Sequence, residues 1–83
     1  MCRNITTLRG LEPPATAEEI QAASRQFVRK VSGIRQPSKA AEERFERAVT
    51  EIAEITTELL HHLPERRNPP PTVPPLRRLS AKA

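Results

Sequence analysis

The chain has 83 residues, a net charge of +4, no Trp or Tyr and two Phe, which allows one small domain with a mostly aliphatic core. Cores of this scale supply about 3–5 kcal/mol of net stability, and a deep pocket would remove much of that core, so a buried enzyme site is not expected in a monomer. The single Cys2 excludes an intramolecular disulfide and points to a reducing cytoplasm. Residues 1–9 hold no apolar run of signal-peptide length, and no stretch has the ~20 apolar residues that span a bilayer, so no membrane role is expected.

The charge divides unevenly. Residues 1–63 carry nine Arg or Lys and nine Glu, whereas residues 64–83 carry five basic residues against Glu65. The basic excess belongs to the second part, which weakens a nucleic-acid role for the first.

In chain order, Asn4 with Ile5 and Leu8 predicts a short N-terminal helical turn that stops at Gly10. Leu11-Glu12-Pro13-Pro14 cannot continue it. Thr16 and Glu19 form a capping-box pattern, and Glu18 and Glu19 suit the positive end of the helix dipole. A helix from Ala17 to about Ser32 follows, with an apolar stripe of Ile20, Ala23, Phe27, Val28 and Val31. Ser24 interrupts the stripe, and its hydroxyl is placed to bond back to the Ile20 carbonyl. Gly33 is a natural stop.

After Ile34-Arg35-Gln36-Pro37, Ser38 is the expected N-cap of a second, longer helix. Its buried face is predicted as Phe45, Ala48, Val49, Ile52, Ile55, Leu59 and Leu63, with Ala41 and Leu60 at the edges. Glu43, Arg47 and Glu51 have the spacing of a surface charge ladder. Pro64 ends the helix. Two long helices with so short a connection should pack antiparallel, and exposed Ile55 and Leu60 beside the main stripe would permit weak self-association. The prolines and arginines of residues 64–83 cannot offset chain entropy by burial, so a disordered tail, polyproline-like over Asn68–Pro75, is expected. The organisation predicted is therefore a helical domain over 1–63 and a Pro/Arg-rich tail over 64–83.

The run Leu8-Arg9-Gly10-Leu11, then Pro13-Pro14-Ala15-Thr16-Ala17-Glu18-Glu19-Ile20, resembles the opening of J-domains, the co-chaperone modules that stimulate the ATPase of 70-kDa heat-shock chaperones. Ala23, Arg25, Phe27, Lys30, Val31 and the segment Ala41–Phe45 extend the likeness over about residues 4–56. It implies an all-α fold, a short N-terminal helix followed by an antiparallel hairpin. J-domains carry His-Pro-Asp after the second helix, and Ser32-Gly33-Ile34 stands there, so the ATPase-stimulating contact has no counterpart. Glu51 replaces a small core residue, and the last helix is longer. Met1-Cys2-Arg3-Asn4-Ile5, Phe27–Gly33 and Pro37-Ser38 are also similar to a family of short, uncharacterised bacterial proteins, with a domain unit ending near Leu63.

Arg25, Arg29 and Lys30, with Arg35 and Lys39, make the candidate partner-binding surface; in the J-like comparison Arg25 and Lys30 match a face that meets an acidic partner. The charge of such a face is equally well a solvated helix surface. Cys2 lacks a neighbouring base in the sequence, His61 and His62 are adjacent and diverge by about 100° on a helix, and Gly10 and Gly33 cannot form a phosphate loop. No catalytic, metal or cofactor residues are assigned. The expected function is a non-enzymatic, cytoplasmic protein-interaction module with a protein partner of unknown identity. The alternative is nucleic-acid association through the arginine tail.

Overall fold

A computed structural model describes residues 5–64 and 69–77. Two long helices, α1 (Ala17–Ser32) and α2 (Lys39–His62), form a hairpin, and no strand occurs among the described residues. The third helical piece is a single turn at 75–77.

The start of α1 follows from the capping chemistry. The Glu19 amide donates to Thr16 Oγ1 at 3.1 Å, and Glu19 Oε1 accepts from the Thr16 amide at 2.8 Å. Two amides that lack helical partners are thereby satisfied. At the other end Gly33 has φ 71°, and its amide donates to the Arg29 carbonyl at 3.0 Å. A Cβ at Gly33 would meet nothing within 4 Å, so the left-handed backbone, not space, favours glycine there. Ser38 sits at the N-cap of α2, but its side chain makes no capping bond. Thr16→Ala should therefore lower stability by about 1 kcal/mol, and Ser38→Ala by much less, in paired urea unfolding curves.

The hairpin is antiparallel because the ends of the two helices cluster crosswise. Val28, late in α1, packs with Phe45 and Val49, early in α2, together with Ile34, Ala48 and Ile52. Ile20, early in α1, packs with Leu8 and Leu11 and with Ala53 and Leu60, late in α2. Val49 is fully buried.

The buried line on α1 is Ile20, Ser24 and Val28, while Phe27 and Val31 of the expected stripe are exposed. On α2, Ile55, Leu59 and Leu63 are exposed, and Ala53 and Leu60 take the inward positions. Each helix carries a wider apolar sector than a single neighbour covers, so the i, i+4 line facing the other helix is buried and the flank is not. Ser24 is tolerated inside because its hydroxyl donates to the Ile20 carbonyl at 2.9 Å.

Two expectations need correction. Described residues 5–16 contain no helix; Leu8 and Leu11 reach the core from an irregular segment with a turn at Arg9 and Gly10, where Gly10 has φ 86°. A stretch this short gains too few hydrogen bonds to offset helix nucleation, and burial of two leucines is reached without it. The leading helix of the J-domain pattern is thus not formed over these residues. Second, the tail expected to be disordered is folded back over 69–77. Pro70 and Pro74 are buried, and Arg77 grips the start of α1. The expected tail residues 65–68 and 78–83 lie outside the described residues. The segment satisfies a buried carboxylate on the domain, Glu19, which offsets part of its chain entropy.

Candidate functional site

The chain reversal between α1 and α2 brings four of the five candidate residues to one end of the hairpin. Arg29 and Lys30 lie in the last turn of α1, Arg35 in the loop, and Lys39 opens α2. All four are exposed, and none is in an ion pair among the described residues. The loop is held from below: Ser32 Oγ donates to the Val28 carbonyl at 2.7 Å and accepts from the Ile34 amide at 3.1 Å, and Ile34 packs on the Val28 cluster. Glu42 and Glu43, exposed near the start of α2, follow Lys39 within one turn.

Arg25, the fifth candidate, is placed differently. Its two Nη atoms donate to the two carboxylate oxygens of Glu46, each at 2.7 Å, and its guanidinium lies 6.0 Å from the Phe45 ring centroid. Planar, bidentate geometry of this kind uses the fork of donors that arginine alone carries. The Arg25 side chain is 29% exposed, so it serves mainly as a clamp between the helices.

The hydrogen bond from Arg25, with the charges of Arg25 and Arg29, holds the Glu46 carboxyl below its ordinary 4.5. The same bond raises the Arg25 value further above its ordinary one. A depressed folded-state value means that the pair stabilises the fold above the unfolded carboxyl value and is lost as pH falls through the folded one. The stability difference between the native chain and Glu46→Gln should therefore be present at pH 7 and shrink as pH drops below about 4.5, followed by thermal unfolding across a pH series.

A half-open cleft of about 410 Å³ lies at the opposite end, between the N-terminal segment and the end of α2. Leu8, Leu11, Ile20, Leu60 and Leu63 are apolar lining residues, and Arg9, Glu12, Thr57 and His61 are polar ones. A cavity of this size is compatible with so small a core because it sits beside the core rather than within it. Its polar groups are largely spent on holding its walls. Arg9 Nε donates to the Pro64 carbonyl at 3.1 Å, and Thr57 Oγ1 to the Ala53 carbonyl at 2.8 Å.

His61 and His62 close α2 as exposed residues of its last turn, where a cationic side chain suits the helix dipole. Cys2 lies outside the described residues. Among the described residues, no three His, Cys, Asp or Glu side chains gather to hold a metal ion, and no helix is long and apolar enough to cross a membrane.

The least anticipated constellation is at the start of α1. Arg77 Nε donates to Glu19 Oε2 and Arg77 Nη2 to Glu19 Oε1, both at 3.1 Å, and Nη2 also reaches the Pro14 carbonyl at 3.2 Å. The Glu19 side chain is 4% exposed. One carboxylate therefore closes the capping box and anchors a segment 58 residues further along the chain. The capping pattern was visible in sequence, whereas nothing local to Arg77 distinguished it from the other arginines of the tail.

The family model for the uncharacterized conserved proteins DUF2277 matches residues 1–83, including the segment after Pro64. The chain belongs to this family. No curated protein and no solved structure matches it. Family membership brings no assigned activity, so any functional reading has to come from the surfaces described above.

Proposed function

We propose that the chain is a non-enzymatic protein-interaction module that docks an acidic partner segment at the closed end of its hairpin, through Arg29, Lys30, Arg35 and Lys39. The observation that carries this reading is the division of labour among the five candidate cations. Arg25 is consumed by Glu46, whereas the other four are exposed and free of ion pairs among the described residues. Such a cluster on a rigid turn raises encounter rates with an acidic surface and fixes orientation more than it adds affinity. The resemblance of the sequence to J-domains, without their His-Pro-Asp, would suit a docking role, and a reducing cytoplasm is the setting that the lone cysteine suggests. Nucleic-acid binding through the tail draws less support, because Arg77 is committed to Glu19 and Pro14.

The test is affinity capture from nuclease-treated lysate with the full chain, read by mass spectrometry, beside a variant carrying Arg29→Glu, Lys30→Glu, Arg35→Glu and Lys39→Glu. A defined protein retained by the native chain and lost from the variant at equal helicity supports the reading. Equal retention by both contradicts it. Loss of all enrichment on nuclease treatment favours the nucleic-acid alternative.

A further inference from the structure

We infer that a second copy of this chain covers the uncovered face of the hairpin, so that two chains close into a two-fold, four-helix bundle. Each residue turns an α-helix by about 100°, and the lines Ile20–Ser24–Val28 on α1 and Phe45–Val49–Leu60 on α2 face each other. The Arg25–Glu46 bond fixes which flanks of the two helices lie on the same side. Thr57 and His61, on the Glu46 flank, line the cleft formed with the N-terminal segment, so that segment covers this first side. By the same rotation Phe27 of α1 and Ala41, Ala48, Ile55 and Leu59 of α2 fall on the opposite side, with Val31 nearer the facing line and Ala23 one turn from the Glu19 that Arg77 grips.

That side keeps four large apolar side chains in water. Phe27 is 48% exposed, Val31 66%, Ile55 69% and Leu59 55%. These four side chains leave on the order of 400 Å² of apolar surface in water, the size of the largest patch on a typical monomer, which is often functional. It is about half of the ~800 Å² per partner of a standard interface, with the alanines, Ile52 and the rim left to contribute the rest. Ile55 and Leu59 also line an open depression on α2 with Glu58 and His62, to which no other element contributes.

The arrangement of sizes selects a second copy over an unrelated helix. Phe27 and Val31 stand on α1 at the closed end, and Ile55 and Leu59 stand on α2 at the open end, so the large side chains occupy one diagonal of the face. Ala41 and Ala48 on α2 at the closed end, and Ala23 on α1 towards the open end, occupy the other. A two-fold axis lying in the contact plane, either along the helices or across them, reverses the diagonal of one copy relative to the other. Large side chains then meet alanines at all four corners, as knobs meet holes in a bundle. The rim carries both signs, with Lys30 and Arg44 beside Glu51 and Glu58, so two copies meet without single-sign repulsion. Lys30 belongs to both this rim and the cationic turn, so the test below uses Phe27 and Ile55, neither of which is a docking cation.

Sedimentation velocity of the full chain over a concentration series tests this, beside the single variants Ile55→Glu and Phe27→Glu. Both residues are exposed in the protomer, and helicity by circular dichroism identifies any variant that fails to fold, leaving the other to serve. The expected result is a species of twice the 9.3 kDa chain mass, with an apparent dissociation constant raised at least 100-fold by either substitution while helicity is kept. A native chain that stays monomeric to millimolar concentration overturns the inference. So does a dimer unaffected by the folded variants, or assembly that grows without closing at two chains.

Discussion

Replacing Phe45 with alanine is expected to abolish cooperative unfolding near room temperature. Phe45 is 5% exposed and packs with Val28 and Val49 in the cluster beneath the turn. Truncating a buried phenylalanine costs about 3–5 kcal/mol through lost burial and the cavity left behind, and a domain of this size has about 3–5 kcal/mol in total. The guanidinium of Arg25 also loses the ring face beside it. Far-ultraviolet circular dichroism against temperature should show a broad, non-cooperative decline for Phe45→Ala. A sharp transition within a few degrees of the native one would mean that this cluster does not hold the hairpin together.

The second large effect concerns the Arg77–Glu19 pair. Removing one partner of a buried pair leaves an uncompensated charge, which costs more than the pair itself contributes. Arg77→Ala leaves the Glu19 carboxylate, 4% exposed on its side chain, with the Thr16 amide as its remaining donor among the described residues. The loss is capped, because residues 69–77 can lift away and let water reach Glu19. A destabilisation of about 1–3 kcal/mol is expected, with faster amide exchange at 69–77 than elsewhere. A double-mutant cycle of Arg77→Ala with Glu19→Gln should show a coupling of at least about 1 kcal/mol. Additive effects would mean that the two side chains do not act as a pair in solution.

How much of this was readable in the sequence depends on the distance over which each interaction acts. The start of α1, its stop at Gly33 and the Ser24 back-bond all came from residues within a few positions of each other, and all are present. The bounds of α2 followed from Ser38, Pro64 and the apolar spacing. The stripes were read too widely: helical periodicity shows which residues share a side, but not which part of that side the neighbour reaches. Hence Phe27, Val31 and Leu59 of the expected buried stripes are exposed, as is Ile55, for which partial exposure is also expected.

The non-local pairs were not legible. Arg25 was grouped with the docking cations because its own helix gives no sign of Glu46 across the hairpin. Within the expected ladder, Arg47–Glu51 forms at 3.3 Å as an exposed i, i+4 pair, since that geometry is set by the helix alone. Arg77 meets Glu19 only because the chain returns to the start of α1, and composition taught the opposite expectation for that segment. The candidate site shows the same contrast. Its four exposed cations lie together because the turn is short, which is legible in the sequence; their lack of an ion pair among the described residues is a property of the folded surface.

The most direct test of the docking claim is amide chemical-shift mapping of the labelled full chain, titrated with the protein recovered by capture. The account predicts shifts concentrated at residues 29–39, weakened by added salt, with the cleft residues and 69–77 unmoved. Shifts centred on the cleft at Leu8, Leu11 and Leu60, or on 69–77, with the turn unmoved, would contradict it.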